Sequence, residues 1–137
     1  MYIIMDPLIW GPHLWFTMHT LSFNYPKEPT QKDKKDYFTF YDNLTNVIPC
    51  KICKEHYTDF FNKNSIIDAL DSRDKLIVWV MEAHNNVNKI TGKPTWTKEK
   101  VFSHYQSIYE RKYDFLKIAK FILVLFILLY FYNKCKK

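Results

Sequence analysis

Only two glycines, Gly11 and Gly92, occur in 137 residues, so the backbone has few places to turn through positive φ without strain. Long side chains fill the rest, with 18% of residues aromatic and 47% hydrophobic. Such a chain is expected to form helices joined by short connections. It shows no glycine-rich strand-to-helix turn and no alternating apolar pattern, which argues against a Rossmann or thioredoxin-like sheet. The length bounds the chain to one domain plus whatever the C-terminus adds.

Apolar spacing predicts a first helix over residues 12–23, opened by Pro12 and carrying Leu14, Trp15, Met18, His19 and Leu21. Trp15 and His19 are four apart and share a face. Asn24-Tyr25-Pro26 and Glu28-Pro29-Thr30 read as a loop. A second helix is expected from about Lys32 to Val47, with Tyr37, Phe40, Tyr41, Leu44 and Val47 as its stripe. The third takes Pro49 as a first-turn residue and ends near Asn62-Lys63-Asn64-Ser65. Asp71 or Ser72 caps a fourth helix from Arg73 to about Ile90, and Thr91-Gly92-Lys93-Pro94 stops it. Thr97 opens a fifth that runs to roughly Tyr113. The expected fold is all-α, a small helical bundle.

The tail is a different material. Phe121 to Tyr132 is an unbroken apolar run, and from Phe115 onward only Lys117 and Lys120 interrupt it. A spanning helix needs about 20 apolar residues, so this segment lies at the lower edge. The lysines can snorkel at one end while Tyr130 and Tyr132 suit the other interface. Packing on the bundle as an amphipathic helix is the alternative, but Phe121 to Phe131 is apolar all round. Residues 1–113 are therefore read as the folded domain, and 114–137 as a C-terminal membrane anchor with a short basic end.

The net charge of +6 resembles a nucleic-acid signal until it is divided. From Asp114 onward there are five lysines and one acid, whereas residues 1–113 carry 15 basic and 13 acidic side chains. No nucleic-acid partner is expected. Met1 to Trp10 lacks a basic start and a small-residue cleavage site, so no signal peptide is expected either. Three cysteines do not make a disulfide-stapled secreted scaffold. A compartment that keeps thiols reduced follows, and an oxidised Cys-x-x-Cys there would be catalytic.

That pair is Cys50-Lys51-Ile52-Cys53. Near a helix N-terminus the macrodipole and unpaired N–H groups favour a thiolate, and Lys51 and Lys54 add positive charge. The competing reading is a zinc site built from Cys50, Cys53, His56 and His84 in a non-enzymatic membrane adaptor. Against it, Cys53 and His56 are only three apart on one helix, and His84 sits among amides. Trp15, Trp79, His19 and His84 each have a simple core alternative.

Taken in order, Trp10-Gly11, Trp15-x-x-x-His19, Cys50-x-x-Cys53, Trp79 and His84-Asn85-x-Val87-Asn88 followed by Gly92-Lys93-Pro94 resemble the FAD-linked sulfhydryl oxidases of the Erv/ALR family. The resemblance covers about residues 10–110, and its compact form is similar to versions encoded by large DNA viruses. It implies four helices plus a short fifth, a homodimer, and non-covalently held FAD. Cys53 would be the cysteine beside the flavin and Cys50 the outer one that meets a protein dithiol substrate or a small dithiol carrier protein. Dioxygen would be the final acceptor. Gly11, Trp15, His19 and His84 would lie around the cofactor, Asn88 and Asn85 would hydrogen-bond it, Lys93 would sit near its phosphates, and Tyr25 and Trp96 would contribute further contacts. No metal is expected. The family's second cysteine pair is missing, since only Cys135 remains. As a late segment, the anchor would insert after synthesis, leaving the enzyme domain in the cytosol and carrying Lys134, Cys135, Lys136 and Lys137 across. A palmitoylated cytosolic Cys135 is the alternative. A viral origin would make the membrane a virion or host internal one.

Overall fold

The computed structural model describes residues 5–135, and these contain five α-helices and no strand. Met1 to Ile4 and the terminal Lys136 and Lys137 lie outside the described residues, as do the side chains of Arg111, Lys112, Tyr113, Asp114, Tyr130 and Cys135. The helices are α1 (Pro7–Asn24), α2 (Gln31–Val47), α3 (Lys51–Lys63), α4 (Arg73–Ile90) and α5 (Lys98–Cys135), with a 3₁₀ turn at Ala69–Asp71. By backbone proximity the chain divides into two units, one ending at Lys98 and the other beginning at Glu99.

Local chemistry sets most boundaries in the first unit. Thr30 caps α2 in a reciprocal capping box with Asp33, satisfying donors that a helix start leaves open. Ser72 caps α4 by accepting the Lys75 N–H. Beyond the other end of α4, Gly92 adopts φ 69°, the left-handed conformation that ends helices and that a side chain would strain.

Two expected boundaries differ. Helix α1 starts at Pro7, because Asp6 accepts the Leu8 N–H and Pro7 fills the first turn. Pro12 then falls inside the helix. In α3 it is Cys50 that caps, accepting the Cys53 N–H at 3.2 Å, so Pro49 precedes the helix instead of opening it.

In the first unit α1 packs on α4, α2 on α3, and α3 on α4, with the 3₁₀ turn against α2 and α4. The core gathers Met18, Tyr25, Tyr41, Leu44, Tyr57, Phe60, Leu76, Trp79 and Val80. Several of these are amphipathic, and their polar atoms tie one element to the next. Tyr41 donates its hydroxyl to the Met18 carbonyl, Tyr57 to the Tyr41 carbonyl, and Tyr25 to the Leu70 carbonyl. Trp79 Nε1 donates to the Asn64 carbonyl at 2.9 Å. Each such bond contributes about 1 kcal/mol net, and leaving one of these buried groups unpaired would destabilise by more. Together they fix helix register in a bundle whose described disulfide is local, between Cys50 and Cys53.

The second unit is α5. The expected break near Tyr113 is absent, and one helix of 38 residues runs through the change in composition. Neither glycine nor proline occurs after Pro94, so nothing in the sequence interrupts the backbone hydrogen bonds. From Phe115 to Phe131 its described apolar side chains are exposed all round, and the helix is long and apolar enough to cross a membrane.

Candidate functional site

Two constellations stand out in the first unit. One is the Cys50–Cys53 pair, which forms a disulfide at the start of α3. Cys53 packs against the core, whereas Cys50 occupies the cap position outside the first turn. The two sulfurs are therefore unlike: one faces the interior and the other the helix entrance.

The second constellation is a set of rings. Gly11, Trp15 and His19 recur every four residues along α1 and so share a face, as His84 and Asn88 do on α4. Where the two helices meet, Trp15 stacks on His84 with centroids 4.3 Å apart and planes 5° from parallel. His19 Nε2 lies 3.2 Å from His84 Nδ1, a hydrogen bond that requires one ring to donate and the other to accept. Trp96 lies near His84, the two ring centroids 6.2 Å apart.

Asn85 holds Trp96 there. Its Nδ2 donates to the Trp96 carbonyl and its Oδ1 accepts the Trp96 N–H, both at 2.8 Å. The side chain expected to hydrogen-bond a cofactor is thus committed to the backbone of the segment after α4. Asn88 is different. It is 5% exposed, and its side-chain amide has no hydrogen-bond partner among the described residues. Its amide atoms keep some access to solvent, so this group is free to hydrogen-bond a ligand that reaches it. Lys93 is anchored beside it, its N–H donating to the Asn88 carbonyl at 2.7 Å.

Burial pushes the His84 imidazole down to about 4, and the Lys93 charge adds to the effect. His84 is therefore neutral at pH 7 and presents a flat, uncharged ring. Below about pH 6.5 the unfolded chain takes up a proton that the fold resists. The stability this ring contributes is thus present above pH 6.5 and is lost as pH falls toward 4. Urea titrations of the FAD-free protein should show that loss, and His84→Gln should reduce it. Equal acid sensitivity in the variant would contradict the assignment.

The other expected site residues are placed as follows. A Cβ built on Gly11 meets nothing within 4 Å, so the start of this face is open. Tyr25 is 0% exposed, spends its hydroxyl on Leu70 and lies with its ring 4.6 Å from that of Tyr37. Burial, with Asp33 next in effect, raises its hydroxyl to about 12. It is a core residue in this structure, not a member of the ring set. Trp79 is likewise core, set edge-on to Tyr41, Phe60 and Phe61. Among the described residues no three His, Cys, Asp or Glu side chains are grouped to hold a metal ion, and the zinc alternative gains no support. Sequence reasoning missed the direct His19–His84 bond and the Asn85 clamp on Trp96. The regular spacing on two helices was the available signal for the first.

A probable FAD-linked sulfhydryl oxidase of Acanthamoeba polyphaga mimivirus is 39% identical over 94 residues, covering 68% of this chain and 66% of that protein. A mitochondrial FAD-linked sulfhydryl oxidase of Schizosaccharomyces pombe is 34% identical over 94 residues, 65% of this chain and 52% of that protein. This chain thus spans between half and two thirds of those relatives' length. The crystal structure of the FAD-binding domain of Erv1 from Saccharomyces cerevisiae aligns with a TM-score of 0.68 at 25% identity, over 77% of this chain and 97% of that one. The sequence pattern of the Erv1 / Alr family matches residues 12–107, which hold every candidate site residue except Gly11. The chain belongs to the Erv1 / Alr family.

Proposed function

We propose that this chain is a membrane-tethered, FAD-dependent thiol oxidase that forms disulfides in protein substrates through Cys50 and Cys53. The observation that carries the reading is one small helical unit holding both a helix-capping Cys50–Cys53 disulfide and a stacked Trp15–His84 face beside the unpartnered Asn88 amide. These residues fit FAD. Flat neutral rings can stack its planar parts, Asn88 can satisfy a ring heteroatom, and Lys93 can offset phosphate charge without a glycine-rich loop. His19 and Asn85 act through their neighbours, the first on His84 and the second on Trp96.

The thiol chemistry follows from the placement of the two sulfurs. A substrate thiolate attacks Cys50 Sγ, the Cys50–Cys53 bond breaks, and Cys53 leaves as a thiolate. The second substrate thiolate then attacks its own sulfur in the mixed disulfide and releases Cys50. The substrate loses two electrons and gains a disulfide, while the enzyme pair is reduced. The Cys53 N–H at Cys50 Sγ stabilises the departing Cys50 thiolate. The chemistry FAD supplies when bound is acceptance of that electron pair and its delivery to dioxygen, giving hydrogen peroxide. A ligand that binds only the native state raises stability with its concentration, so added FAD should raise the melting temperature of the wild-type protein. No rise would remove the cofactor reading.

The anchor and the homodimer belong to this proposal too. Met5, Leu8 and Ile9 at the start of α1 are 55%, 75% and 70% exposed, which supports a second copy covering this end. The domain boundary near residue 113 is retained as a functional division, with residues 1–113 outside the bilayer and 114–137 forming the anchor. The exposed apolar length of α5 supports a single span, and we propose that the enzyme domain faces the cytosol. Carbonate should leave the full chain in the membrane, and protease added to intact membranes should digest residues 1–113. Release by carbonate would mean that there is no span, and protection of the domain would reverse the topology.

A further inference from the structure

The disulfide is flanked by apolar surface that the chain does not use. Val47 ends α2 three residues before Cys50, and Ile52 lies in the first turn of α3 two residues after it. They are 65% and 62% exposed, in helices whose other faces supply core residues. Lys51 is exposed between them, and Lys54 is half-buried one turn further along. Neither lysine is ion-paired among the described residues. The acid next along this helix is Glu55, so the entrance to Cys50 is an apolar rim with a positive edge.

We propose that this rim selects the protein dithiol: Val47 and Ile52 take an apolar side chain next to the substrate cysteines, and Lys51 and Lys54 take an acidic neighbour. The inference rests on the thiol-oxidase reading above and adds the recognition that the reading lacks. Attack on Cys50 Sγ by a cysteine of a polypeptide brings a second backbone down onto residues 47–54, so a protein that reduces this disulfide covers these side chains. Apolar groups already exposed there favour a partner that buries them, and unpaired lysines favour opposite charge. A small dithiol reaches the sulfur without touching the rim.

The test uses the full chain in detergent with FAD and three reductants. These are dithiothreitol, a reduced Cys-x-x-Cys peptide flanked by leucine and glutamate, and the same peptide flanked by serine and lysine. The wild-type enzyme should prefer the leucine–glutamate peptide by about tenfold in kcat/KM, which is the scale of one buried aliphatic side chain. Val47→Ser and Ile52→Ser should each reduce that preference by roughly threefold and the pair should nearly remove it, mainly through KM. Lys51→Gln should remove its salt dependence. Dithiothreitol turnover should change by less than about twofold in Val47→Ser, which lies outside the cysteine pair. Equal rates on the two peptides, a preference for the serine–lysine peptide, or parallel loss of dithiothreitol turnover in Val47→Ser would overturn the proposal. Failure of the wild type to oxidise dithiothreitol would instead strike the oxidase reading on which it stands.

Discussion

Cys50→Ser and Cys53→Ser should each abolish dithiothreitol turnover, a loss of about 10³-fold or more, because neither half of an exchange pair works alone. The two variants should nevertheless differ. Cys53 packs toward the core and Cys50 caps the helix, so Cys53 is the sulfur we propose to lie next to the cofactor. Cys50→Ser should retain FAD and show a long-wavelength absorption band from a Cys53 thiolate beside it. Cys53→Ser should retain FAD without the band. Finding the band only in Cys53→Ser would invert the assignment of inner and outer sulfur.

The second large effect is expected at the ring face. His84→Ala removes the ring stacked on Trp15 and the partner of His19 at once. It should weaken FAD retention by about tenfold to a hundredfold, since each tenfold corresponds to roughly 1.4 kcal/mol and both a stack and a hydrogen-bonded support are lost. Asn88→Ala should cost less, about tenfold, for one ligand hydrogen bond. In both variants the Cys50–Cys53 disulfide should still form, as it lies on a different helix. Equilibrium dialysis of FAD against the purified variants checks this. If His84 were only a core residue, the variant would be less stable at every FAD concentration and its FAD affinity would be unchanged once it was folded.

Helices α2 and α4 were legible in the sequence because their ends are marked by chemistry that acts within a few residues: the Thr30 box, the Ser72 cap and Gly92. The start of α1 was misplaced because Pro12 and Asp6-Pro7 both look like entrances. The Asp6 side chain, bonded to the Leu8 N–H, decides between them. The break expected near Tyr113 came from a change in composition. Composition alters what a helix touches but does not interrupt its backbone hydrogen bonds, so α5 continues. At the site, i to i+4 spacing foretold that Trp15, His19, His84 and Asn88 line two helix faces. It could not foretell that those faces meet, that His84 bonds His19, or that Asn85 spends both amide groups on Trp96. Tyr25 shows the same limit. Nothing local distinguishes a tyrosine that lines a ligand site from one whose hydroxyl reaches Leu70 across 45 positions of chain.

The most direct test of the central claim is the absorption spectrum and oxygen uptake of the purified full chain. The purified protein should be yellow and release one FAD per chain on denaturation. With dithiothreitol it should consume one dioxygen, and form one hydrogen peroxide, for each disulfide made. A colourless, folded protein that carries zinc at the cysteines and consumes no oxygen would contradict that claim.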